Sequence, residues 1–289
     1  MQLAILTIIL IRNVCVRMPC RVLSYAYPEA GDVAITVVEM GGEYYFASTS
    51  ATCFAEQHPN KTTAHRGEKA LAVSSSGLAH ISVRGANAVS VVRTAGELVD
   101  EIVGGTTGLQ RLVDCTAFVT NTTEGFLLEK ALGGFNLALT VLIAGLEPGD
   151  QAALHCIATT SPTLPVALSP SLIPRPSSDA VATSRAPIAV RSNDIVWVSG
   201  LCAKQANASD AFATLSQIVS MEKVLHCKFF LSNITNMDAL FGGFYEVFNV
   251  GAPPPPSRGE FTTPSLDESC KVVVHCCAAD VKEQEHTLT

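Results

Sequence analysis

The 289-residue sequence predicts an α+β protein built as two tandem copies of one small module, and three observations carry that reading. The stretch VDCTAFVTNTT from Val113 matches LHCKFFLSNIT from Leu225: a cysteine, alternating apolar residues, then Asn-x-Thr as strand exit and helix cap. ALHCIATT from Ala153 matches VVHCCAAD from Val273. Helical apolar spacing precedes and follows each cysteine strand. Since 112 residues separate Cys115 from Cys227 and 120 separate His155 from His275, the second copy carries about eight extra residues, placed at APPPPSRGE.

The elements follow in order. Residues 1–20 form an N-terminal extension whose apolar run Leu3 to Ile11 reads as a signal-like segment or as sequence ahead of a start at Met18. That apolar run is too short to span a bilayer. The first module covers 21–158. Asp32 to Met40 and Glu43 to Ser50, β-rich and separated by Gly41-Gly42, predict a hairpin that opens it. The polar, Ser/Gly-rich stretch 56–85 reads as an insertion or long loop. A helix is expected from Ala95 to Val103, then the Cys115 strand, then a helix from Glu124 to Leu132. Pro, Ser and Thr dominate 159–185, and prolines neither donate to a sheet nor continue a helix, so this segment reads as a linker. In the second module, 186–280, Ile188 to Arg191 and Ile195 to Ser199 flank a turn at Ser192-Asn193-Asp194. Helices are expected over 210–224 and 237–247, and a short tail covers 281–289. With two helices on one face of each sheet, the other face stays apolar and needs a partner.

Composition excludes some classes. A net charge of −7 with no Lys/Arg cluster argues against a nucleic-acid partner, and no segment predicts a membrane partner. The ten cysteines lack a repeated C-x-x-C spacing and read as reduced core thiols of a cytoplasmic protein. Targeting through the apolar N-terminus is the alternative, under which the sequons at Asn60, Asn121, Asn207 and Asn233 would be used.

The strand order, PIAVRSNDIVWVSGL, the NITNMDALFGGFYEVF helix and PPSRGE together resemble the RidA family, also called YjgF, endoribonuclease L-PSP-like or reactive-intermediate deaminases. The resemblance covers nearly all of 184–279 and, more faintly, 21–158. It implies a chorismate-mutase-like fold, trimer-type self-association with clefts between subunits, and hydrolysis of enamine or imine intermediates to keto acids and ammonia. Two modules per chain would make that assembly a trimer or a pseudo-trimer. The tandem arrangement is also similar to the C-terminal modules of diphthine-ammonia ligases. No SGGKDS-like phosphate loop occurs, so ligase chemistry would need another chain and this one would be its accessory half.

The resemblance places the family's carboxylate-binding arginine at Arg258, where a planar guanidinium fork suits a substrate carboxylate. Ser199, Gly200 and Cys202 lie at the strand end where family ligands approach, and Cys202 is a candidate reactive thiol. The family's catalytic glutamate falls at Val273 and a second strand glutamate at His275, so neither position holds a carboxylate. In the first copy, Ala138 and Ala153 stand opposite the arginine and the glutamate. The remaining acid-base candidates are Glu260, two residues from the arginine, and His275, with a near-neutral pKa. No cofactor or metal is expected, because neighbouring His and Cys on one strand face opposite ways. The expectation is a binding protein or pseudo-enzyme for a small carboxylate or keto acid. An active imine deaminase using Glu260 or His275 is the alternative.

Overall fold

The computed structural model describes residues 20–25, 35–40, 43–46, 63–66, 70–75, 77–168, 189–192, 194–248, 256–262 and 270–280. Two six-stranded sheets dominate. The first is built from β4 (Thr63–His65), β5 (Ala70–Ser75), β6 (Leu78–Gly85), β7 (Leu112–Val119), β8 (Ala138–Ile143) and β9 (Ala152–Thr159), in the order β4-β5-β6-β9-β7-β8. The second uses β10 (Val166–Ala167), β11 (Ala189–Ser192), β12 (Ile195–Ala203), β13 (Val224–Leu231), β14 (Ser257–Thr262) and β15 (Val272–Ala279), in the order β10-β11-β12-β15-β13-β14. The two orders are the same, strand for strand. In each sheet the last pair is parallel and the others are antiparallel.

Two helices cover one face of each sheet: α1 (Ala88–Val103) and α2 (Thr122–Leu132) on the first, α3 (Ser209–Ile218) and α4 (Met237–Val247) on the second. Helix α1 starts where the Asn87 side chain accepts from the Ser90 N–H, and it buries Val91, Val92, Ala95, Leu98 and Val99, an i, i+3, i+4 stripe. Helix α2 is capped alike by Asn121. Its Glu124 carboxylate accepts from the Ala88 N–H at 2.6 Å, joining the N-terminal ends of the two helices, where negative charge is favoured. In the second module Phe212, Phe229, Phe244 and Phe248 interlock edge to face, a larger-residue version of the same layer.

The other sheet faces cover one another. Leu78, Val113, Ala138 and Ile157 pack against Val190, Ile195, Trp197 and Cys277. A second patch joins Leu142 and Phe118 to Phe230, Cys270 and Val273, with the Phe118 and Phe230 rings 6.3 Å apart. The apolar face that the amphipathic pattern leaves open therefore finds its partner inside the chain.

Several expectations are corrected. The stretch 56–85 is not a loop throughout, since β5 and β6 form a hairpin through Gly77 (φ 78°), the counterpart of β11–β12. Its strands are Ala- and Ser-rich because α1 lies close over them, and small side chains carry no β-branched signal. The Gly41-Gly42 hairpin exists as β2 (Ile35–Met40) and β3 (Glu43–Phe46). It belongs, with β1 (Cys20–Tyr25), to a separate three-stranded sheet. Within the expected linker, Val166-Ala167 pairs with β11 as an edge strand; 169–188 lie outside the described residues. Helix α1 begins seven residues earlier than expected, and α3 stops at Ile218 because a turn and a short 3-10 helix lead into β13.

The reading of reduced core thiols is corrected as well. Cys115 is bonded to Cys156, Cys227 to Cys276 and Cys202 to Cys270. The first two pairs are cross-strand neighbours at equivalent places in the two modules. Spacing along the chain gives no hint of them, because the partners meet only through strand pairing. Disulfides belong to oxidising surroundings, so the thiol argument for a cytoplasmic setting falls away. Among the described residues no helix is long and apolar enough to cross a membrane.

Candidate functional site

Arg258 sits on β14, paired in register with Cys227 of β13. Cys227 faces the helices, and so does Arg258: its guanidinium carbon lies 4.4 Å from the ring centre of Phe241, 4.9 Å from Phe244 and 5.0 Å from Tyr245, all on α4. Helical spacing puts these rings together, and their negative faces attract the cation. Stacking uses the faces of the guanidinium, whereas its N–H fork lies in the plane, so a stacked arginine keeps the geometry that grips a carboxylate. The register also shows that the first-module counterpart of Arg258 is Leu139, which pairs with Cys115, rather than Ala138.

A second polar cluster lies at the seam between the sheets. Side chains alternate along a strand, so while Cys115 and Ala117 meet the helices, Asp114 and Thr116 face the second module. Likewise Lys228 and His275 face the first. The Lys228 ammonium donates to Asp114 Oδ2 at 3.2 Å and to Thr116 Oγ1 at 3.4 Å. His275 Nε2 meets Asp114 Oδ1, and His275 Nδ1 lies 2.6 Å from Thr140 Oγ1. The Gly200 N–H donates to that hydroxyl at 2.8 Å.

Burial fixes the protonation states. It pushes His275 down, beyond what Asp114 restores, so the imidazole is neutral at neutral pH. For Asp114 burial opposes ionisation, but His275 and Lys228 outweigh it and hold the carboxyl below the usual carboxylate range. The consistent pattern runs from Gly200 N–H to the Thr140 hydroxyl, from that hydroxyl to His275 Nδ1, and from His275 Nε2–H to Asp114. His80, also buried, is lowered to about 3 by burial and by Lys228, which together outweigh Asp114. The free Cys277 thiol is pushed up to about 12 by burial and by Asp114, so it is inert.

The expected site residues do not converge. Arg258 lies on the helix side of the second sheet and His275 on the seam side. Glu260 holds a β14 register position opposite Phe229. Ser199 and Gly200 form a bulge in β12, two residues facing His275 alone across the ladder. Cys202 is no free thiol, since its sulfur is bonded to Cys270. Val273, where the resemblance leads one to expect a glutamate, is buried in the seam. Asp114, Lys228 and Thr140 escaped sequence reasoning, although a charge in the middle of an apolar strand, as in VDCTAFV and LHCKFFL, signals a buried pair. Among the described residues no His, Cys, Asp and Glu cluster fits a metal ion.

No protein-family model matches this sequence, and no curated protein matches it. Solved structures do. A chorismatase is 11% identical, with 84% of this chain and 83% of that chain covered and a TM-score of 0.50. A YjgF-family protein from Neisseria meningitidis is 18% identical, covering 35% of this chain and 91% of its own at a TM-score of 0.32. Another from Mycobacterium tuberculosis, also 18% identical, covers 32% and 84% at 0.29. The chain thus has an α+β, chorismate-mutase-like fold, shared with the chorismatase over most of both chains.

Proposed function

We propose that this chain is a RidA-like binding protein for a small carboxylate, with a deaminase site that has lost its acid. The observation that carries this reading is the Arg258 guanidinium held over Phe241, Phe244 and Tyr245, with Tyr245 exposed at the surface. A guanidinium already fixed by stacking loses less freedom on gripping a carboxylate than a mobile one. Catalysis finds no such support. His275 and Asp114 are 2% and 1% exposed and committed to each other, so neither meets a substrate.

Calorimetric titration with 2-oxobutanoate tests the reading. Wild type is expected to bind saturably, Arg258→Ala to lose at least tenfold in affinity, and Arg258→Lys to recover little, since a point charge lacks the bidentate fork. Equal affinity in wild type and Arg258→Ala would sink the proposal. Hydrolysis of 2-iminopropanoate generated in situ is expected to stay at background; turnover abolished by Glu260→Gln would restore an enzymatic role.

A further inference from the structure

We infer that the buried charges of the seam form a pairing code: each module's open face accepts the other module and rejects a second copy of itself. Strand equivalence makes the comparison direct. Cys115 corresponds to Cys227, so Asp114 corresponds to His226 and Thr116 to Lys228; His155 corresponds to His275. If two second modules docked in the geometry seen here, each lysine that now meets Asp114 and Thr116 would meet His226 and the other Lys228. The Lys228 ammonium lies 3.4 Å from the Thr116 hydroxyl, so two ammonium groups would be forced together where water is excluded. Two first modules would fail differently. Asp114 would face Thr116 in place of Lys228 and His155 in place of His275, leaving a buried carboxylate without the lysine that balances its charge. Only the mixed pair buries one anion against one cation.

Shape adds to the charge selection. Thr140 can reach His275 because Gly200 has no side chain; a Cβ there would stand 2.9 Å from Thr140 Oγ1 and 2.7 Å from Val273 Cγ1. The first module has Ser82 directly opposite His155 and no bulge, so it offers a copy of itself no such opening. Buried polar groups that specify partner or register are a known use of otherwise costly charges.

The full chain tests this with two variants. Asp114→Asn/Lys228→Met removes both charges but keeps an acceptor for His275. After refolding from denaturant at rising protein concentration, its sedimentation profile is expected to show several-fold more large species than wild type, from modules of separate chains pairing. Asp114→Lys/Lys228→Asp restores one anion and one cation across the seam and is expected to keep the wild-type profile. The inference falls if the neutral variant sediments like wild type, if it fails to fold cooperatively, or if the charge-swapped chain misassembles as the neutral one does.

Discussion

His155 and His275 occupy the same place in two sheets of the same order, yet they do different work. His155 stands opposite Ser82 and bonds to that hydroxyl within its own sheet, Nδ1 to Oγ at 2.9 Å. His275 stands opposite a bulge, and its ring reaches across the seam to Thr140 and Asp114 of the other module. One extra residue in β12 therefore changes a histidine's partner from its own sheet to its neighbour's. The difference teaches that equivalent frameworks become unequal through strand irregularity and a few seam residues, while the ladder itself is unchanged.

That comparison can be broken hardest at Lys228. Lys228→Met alone leaves Asp114 buried without its cation and is expected to cost about 3–5 kcal/mol of unfolding free energy in urea titration, against little for Thr116→Val at the equivalent position. Thr140→Val strips the Gly200 N–H and His275 Nδ1 of their shared partner, and about 3 kcal/mol is expected from the same measurement. Acid tests the buried imidazoles. His80 folds with its pKa lowered to about 3, so the unfolded chain binds its proton first, and stability falls as pH drops below about 6.5. Between pH 7 and 5 that group alone is expected to remove about 2 kcal/mol, and His80→Phe to flatten the slope. His275, also lowered, acts in the same direction. The smallest effect is expected at Ser82→Ala, about 1 kcal/mol, because the bond it removes from His155 stays within one sheet and joins no modules.

Much of the framework is legible in the sequence because it rests on local periodicity. The β7 and β13 strands, the Asn-capped α2 and the α4 range follow from alternation, helical spacing and cap residues, each a property of neighbours along the chain. Only part of the second copy's excess lies where the prolines stand: the connection between α4 and β14 is 248–256, against 133–137 between α2 and β8, and the rest falls in the short 3-10 turn ahead of α4 and after β14. What was not legible depends on partners far apart. The β5–β6 hairpin reads as loop because its small residues make sense only under α1. The disulfides and the Asp114–Lys228 pair join residues 41 and 114 positions apart, respectively, for the first disulfide and the ion pair.

The candidate site divides the same way. Arg258 stands out in the sequence through Pro256-Ser257-Arg258, whereas its stacking on Phe241, Phe244 and Tyr245 depends on how β14 lies against α4. Which face each side chain occupies is fixed by pairing register, and that separates Arg258 from His275 by the thickness of a sheet. By itself, then, the sequence determined two modules and their element order, since propensity and period act within a few residues. Only the tertiary structure decided that the open faces close on each other and that Asp114, Lys228, His275 and Thr140 meet there. Burial makes an unpaired charge costly, and only packing brings the partner that removes the cost.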